Sequence, residues 1–201
     1  MAREAAAHRL VSPARLAFLA AALTGLLAGP ASAQMSVTVF AGTLARDCAR
    51  AAISGMRDVD SIKTCTLAIQ NEVMSNRDTA VTYLNRGVLQ LARADLRGAK
   101  ADFDRAIRMV PQLGEAYVNR GAVFIAERQF QTALADIERG ISLNSAELEK
   151  AYYNRAIAHE NLGNVKQAYL DYSKALELKP GWDLALHELT RFQVKSKDSP
   201  G

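Results

Sequence analysis

Apolar residues through the middle of the chain return every three to four positions. In 116–126, Tyr117, Gly121 and Phe124 recur at that spacing, and Val118, Ala122 and Ile125 run beside them. In 101–109, Phe103, Ala106, Ile107 and Met109 share one broad face. This is the period of an amphipathic helix, and no stretch sustains the two-residue alternation of a strand. Gly163-Asn164 marks a turn between two such helices. After Pro180-Gly181, a stripe of Leu184, Ala185, Leu186, Leu189 and Phe192, with Glu188 and Arg191 beside it, predicts a further helix over 182–195. The expected class is all-α.

The helices repeat. Thr82–Gly87 reads Thr-Tyr-Leu-Asn-Arg-Gly, Ala116–Gly121 reads Ala-Tyr-Val-Asn-Arg-Gly, and Ala151–Ala156 reads Ala-Tyr-Tyr-Asn-Arg-Ala. A second phrase follows each: Ala99, Asp102-Phe103 and Ala106-Ile107; Ala133, Asp136-Ile137 and Gly140-Ile141; Ala168, Asp171-Tyr172 and Ala175-Leu176. Gly87 and Gly121 are 34 residues apart, and Gly121 and Ala156 are 35. Self-similarity at this period means stacked helical pairs, since one pair cannot bury its apolar faces alone. Over 80–181 the chain resembles the tetratricopeptide repeat family. Small residues stand where the two helices touch (Gly87, Gly121 and Ala156 against Ala99, Ala133 and Ala168), and the large residue of the second helix is Phe103, Ile137 or Tyr172. The closing proline is Pro111 and Pro180, with Ser145 in the middle copy, so that copy is expected to end less sharply. The resemblance implies a right-handed superhelical stack of helix–turn–helix repeats with a C-terminal capping helix.

The first 33 residues read as an address. Arg3, Arg9 and Arg15 precede the apolar run 16–29, and Ala31-Ser32-Ala33 is a small-x-small site, so cleavage between Ala33 and Gln34 is expected. The run is short for a span of about 20 residues, which argues against an uncleaved anchor. A periplasmic protein with no membrane insertion after cleavage follows as the expectation. Removing three Arg and one Glu lowers the net charge from +4 to +2. The remaining charge is a weak argument for nucleic acid, and no basic cluster with interleaved aromatics supports one. Residues 34–41 read as an extended segment, and 196–201 as a frayed polar tail.

A fourth, worn unit occupies 42–79. Aligning Ala68-Ile69 with Ala106-Ile107 puts Ala49 at the position of Gly87, Cys48 at Arg86 and Cys65 at Phe103. Gly55 falls near the turn, and about four extra residues at 75–78 separate this unit from the next. Cys48 and Cys65 are the only cysteines, and both lie equally far from that turn. In an oxidising compartment they read as a disulfide; the alternative is two buried thiols. The three regular repeats each carry an Arg and, 16 residues later, an Asp: Arg86 with Asp102, Arg120 with Asp136, Arg155 with Asp171. Each pair is expected to bridge its two helices.

Chemistry is sparse. Of three histidines, His8 lies in the address, and His159 and His187 have no second His at ligand spacing. Neither a metal-binding pattern, a phosphate loop nor a nucleophile elbow occurs, so no catalytic residue, metal or cofactor is assigned. In the resembled family the first helices line a concave groove. That implies a peptide-binding set of Leu84, Asn85, Val88, Val118, Asn119, Ala122, Lys150, Tyr153, Asn154 and Ile157. The recurring Asn could pair with a peptide backbone through donor and acceptor, or bond locally within the repeat. The family's two-carboxylate clamp is rejected, because only Asn119 and Lys150 match it and Leu84 and Val88 stand where it needs polar groups. The expected function is a non-catalytic adaptor for a protein or peptide partner. The competing expectation is self-association, as a homodimer or with the groove filled by Met35–Phe40.

Overall fold

The computed structural model describes residues 9–11 and 42–195. Among the described residues nine helices follow one another: α1 Thr43–Ile53, α2 Val59–Asn71, α3 Asn76–Ala92, α4 Leu96–Met109, α5 Gly114–Ala126, α6 Phe130–Ser142, α7 Leu148–Asn161, α8 Val165–Leu178 and α9 Asp183–Thr190. A three-residue strand β1, Arg9–Val11, pairs antiparallel with β2, Gln193–Lys195. The address, the cleavage site, the segment 34–41 and the tail 196–201 otherwise lie outside the described residues.

Consecutive helices pair as antiparallel hairpins α1/α2, α3/α4, α5/α6 and α7/α8, and each hairpin packs on the next. The first helices also adjoin one another, α1 with α3, α3 with α5 and α5 with α7, forming one layer of the stack. The tight approach within a hairpin depends on small residues. A Cβ on Gly87 would lie 2.6 Å from Phe103 Cε1, and one on Gly121 would lie 2.6 Å from Ile137 Cγ1. The core is therefore a series of repeated contacts running the length of the stack.

Every hairpin closes through a residue in the left-handed region: Gly55 (φ 65°), Ala94 (62°), Arg128 (61°) and Gly163 (79°). Glycine enters that region without a Cβ clash, whereas Ala94 and Arg128 are held there by the packed helices on either side. The middle repeat ends as sharply as the others despite lacking proline. Asn144 turns to φ 54° directly after α6, and asparagine is the side-chain-bearing residue that best tolerates this stop. The extra residues before the second unit form the first turn of α3, whose N-terminus is capped by Ser75 accepting from the Asp78 amide at 3.1 Å.

The capping helix is shorter than 182–195. It stops at Thr190, and Phe192 turns back to pack on Tyr169 and Tyr172, at ring-centroid distances of 5.8 and 6.0 Å. No proline or glycine lies between 182 and 195 to end it. Burying Phe192 on α8 outweighs the weak preference for further helix.

Candidate functional site

The worn first unit is a hairpin of the same kind, and Cys48 and Cys65 form a disulfide between α1 and α2 with a Cα–Cα separation of 4.8 Å. Both cysteines are fully buried. The cross-link occupies the places that the paired arginine and the large residue of the second helix (Phe103, Ile137 or Tyr172) hold in the regular repeats.

All three Arg–Asp pairs form, each bidentate. Arg86 meets Asp102 at 2.7 and 2.8 Å, Arg120 meets Asp136 at 2.7 and 2.8 Å, and Arg155 meets Asp171 at 2.7 and 2.7 Å. Two of these arginines also reach back to the preceding hairpin. Arg86 Nη1 donates to Thr66 Oγ1 at 3.0 Å, and Arg120 Nη1 donates to Asp104 Oδ1 at 2.6 Å. Hydrogen bonding to the partner Asp raises the pKa of each guanidinium. At Asp104, burial pushes the carboxyl up, but Lys100 and Arg120 outweigh it and the pKa is lowered. Tyr83 and Tyr117 stack beneath these groups: Arg86 and Arg105 lie 5.4 and 6.0 Å from the Tyr83 ring, and Arg120 and Arg139 lie 5.6 and 6.0 Å from Tyr117.

Because Arg120 holds carboxylates on two hairpins, Arg120→Ala is expected to cost about 1–2 kcal/mol. The pair is half-buried, so its removal leaves Asp136 and Asp104 poorly compensated without the full penalty of a dry ion pair. Urea unfolding of Arg120→Ala beside Arg155→Ala measures this, and an unchanged midpoint for Arg120→Ala would remove the pair from the account of stability.

Helix geometry places the recurring asparagines. Gly87 faces α4 through Phe103. At about 100° per residue, Asn85 lies about 160° from that contact, on the side of α3 turned away from its hairpin partner. Asn119 stands in the same relation to Gly121, and Asn154 to Ala156. Their relative exposures are 1%, 0% and 0%. None of the three is without a partner. Val88, Ala122 and Ile157, one residue beyond the small contact, are also buried, and with the asparagines they give this face an amide row beside an apolar row.

Other expected groove residues serve the hairpin interior as well. Val118 packs against Gly140 of α6, and Leu84 belongs to the core around Phe103. Tyr153 lies 5.5 Å from the Tyr172 ring and 5.0 Å from Trp182. Burial pushes its pKa up to about 12, and it also raises that of Tyr172, whose hydroxyl donates to Glu160 at 3.1 Å. Lys150 is half-buried and is paired with Glu147 at the start of α7. Val81 and Glu115 occupy the position of Lys150 in their own repeats and were missed as neighbours of the face. The constant six-residue offset from Gly87, Gly121 and Ala156 was the available signal.

His159 is half-buried and burial lowers its pKa. Among the described residues, no group of three His, Cys, Asp or Glu could hold a metal ion. Among the described residues, no helix is long and apolar enough to cross a membrane.

Residues 149–181, the third regular hairpin, match the tetratricopeptide repeat family model. The chain folds as a tetratricopeptide repeat stack. Solved structures agree. A tetratricopeptide repeat domain of Arabidopsis OM64 is 26% identical with a TM-score of 0.55, covering 58% of this chain and 96% of its own. The first such domain of Spaghetti (RPAP3), bound to the HSP90 peptide SRMEEVD, is 24% identical with a TM-score of 0.53, covering 60% and 94%. MamA from Desulfovibrio magneticus RS-1 is 19% identical with a TM-score of 0.56, covering 74% and 82%. The last two likenesses concern the fold. No match was found among curated protein sequences.

Proposed function

We propose that this protein is a non-catalytic adaptor of the bacterial envelope that holds an extended, largely uncharged peptide segment of a partner against α3, α5 and α7. The carrying observation is the row of Asn85, Asn119 and Asn154 beside Val88, Ala122 and Ile157, on the side of each first helix away from its hairpin partner. Amides can pair with any peptide backbone, and the apolar row takes alternate side chains. Support comes from the fold, which holds a peptide in the RPAP3 domain. That peptide is acidic at its end, whereas the apolar positions here favour a different sequence. The envelope assignment rests on the N-terminal address, and the Cys48–Cys65 disulfide suits an oxidising compartment.

Selection of peptides from a random display library tests the reading. Extended uncharged sequences are expected to be enriched, and Asn85/Asn119/Asn154→Ala is expected to weaken their binding about tenfold or more while circular dichroism still shows the helical stack. Asn119→Ala alone serves as the milder variant if the triple change unfolds the protein. Binding unaffected in folded variants would move the interface off this face.

A further inference from the structure

Charge is segregated on one second helix. The exposed residues of α4 are Arg97, Ala101, Arg105 and Arg108. At about 100° per residue they fall within about 80° of one another, so they form a single stripe. The rest of the helix packs on α3 and α5. The acids of α4 are spent inward: Asp102 is held by Arg86, and Asp104 by Lys100 and Arg120. Asp95 caps the helix by accepting from the Gly98 amide at 3.0 Å. Among the described residues, none of Arg97, Arg105 and Arg108 has an ion pair. The other second helices mix signs at their exposed positions: Asp60 with Lys63 on α2, Glu138 with Arg139 on α6, Glu177 with Lys166 on α8.

Three uncompensated guanidinium groups on one face attract negative charge, and their planar forks match carboxylates. Arg105 is steadied for this by the Tyr83 ring, 6.0 Å away. From Arg97 to Arg108 the stripe runs about 16 Å at about 1.5 Å per residue, the length of three helical turns. Ala101 lies between the arginines and has no bulk to hold a second helix off. Packed helix axes approach to about 8–10 Å, depending on the side chains at the contact. A lipid surface fits less well. Helix faces that bind membranes push large apolar side chains into the acyl boundary, and Ala101 is the one apolar residue of this stripe.

We propose that the exposed face of α4 docks an acidic helix of a partner protein, at a site separate from the asparagine row of the first helices. The probe is an end-blocked, fluorescein-labelled alanine-based helical peptide with glutamates along one face, titrated by anisotropy against the full chain at low salt. Arg97→Gln/Arg105→Gln/Arg108→Gln is expected to weaken its binding about tenfold or more, the range for losing charge pairs at an interface. Arg46→Gln/Arg77→Gln/Arg128→Gln removes the same net charge from exposed arginines elsewhere and is expected to leave affinity within about twofold, since exposed charges beyond a Debye length are screened. Circular dichroism checks the stack in each variant. Arg97→Gln/Arg108→Gln is the milder change, because neither side chain rests on Tyr83. Asn119→Ala is expected to have no effect, which keeps this site distinct from the groove. No binding to the unaltered chain, or equal losses in the two triple variants, would overturn the proposal. So would retention on phosphatidylglycerol vesicles that the α4 variant abolishes while the glutamate peptide fails to bind, because the occupant would then be lipid.

Discussion

Phe103→Ala is expected to lower the unfolding free energy by about 3–5 kcal/mol, the usual range for emptying a buried aromatic site. Phe103 is fully buried between α3 and α4, with its ring edge against Gly87. The gap cannot close easily, because Arg86 and Asp102 clamp the same two helices with a bidentate pair beside it. Urea denaturation measures the loss, and a change below about 1 kcal/mol would mean that the hairpin collapses freely. Gly87→Ala gives an internal check. Alone it forces a Cβ into the ring and is expected to destabilise by about 1–3 kcal/mol. In the Phe103→Ala background that clash disappears, so the two changes together should cost less than their sum. Strict additivity would show that the two residues are not in contact.

Loss of the disulfide has the next largest effect. Replacing both Cys48 and Cys65 by Ala is expected to cost about 3 kcal/mol, the chain-entropy value for a loop near the observed separation of 17 residues. The first hairpin feels this most. It lacks the Arg–Asp clamp and the large side chain of the others, and it has a neighbouring hairpin on one side only among the described residues. Hydrogen exchange should therefore show α1 and α2 opening ahead of α5 and α6 in the variant. Alkylation of the native protein without reductant is expected to label neither cysteine. Labelling of both, or a variant with unchanged stability, would count against the cross-link as the clip of the first unit.

Both effects trace back to what could be read along the chain. The repeat was legible because the same small, large and charged residues return at nearly constant spacing, and the Arg–Asp pairs followed from that register. The disulfide was legible because the two cysteines are equidistant from one turn. The back-contacts Arg120–Asp104 and Arg86–Thr66 were not. They join different repeats, and their geometry depends on how one hairpin is set against the next, which no spacing within a repeat encodes. The placement of the recurring asparagines on one helix face was legible in the repeat register. The asparagines stand on the side away from their partner helices, while Leu84, Val118 and Tyr153 also fill the interior.

The sequence by itself determined the number of hairpins, the two turns marked by Gly55 and Gly163, and the residues that touch within each hairpin, because those contacts are local and repeat with the helix period. The tertiary structure decided where α9 stops, that Asn144 could take the place of a proline, and that Ala94 and Arg128 adopt a backbone glycine would enter freely. In each case packing between distant elements outweighs a local preference of at most a few kcal/mol, and such contacts exist only once the hairpins have stacked.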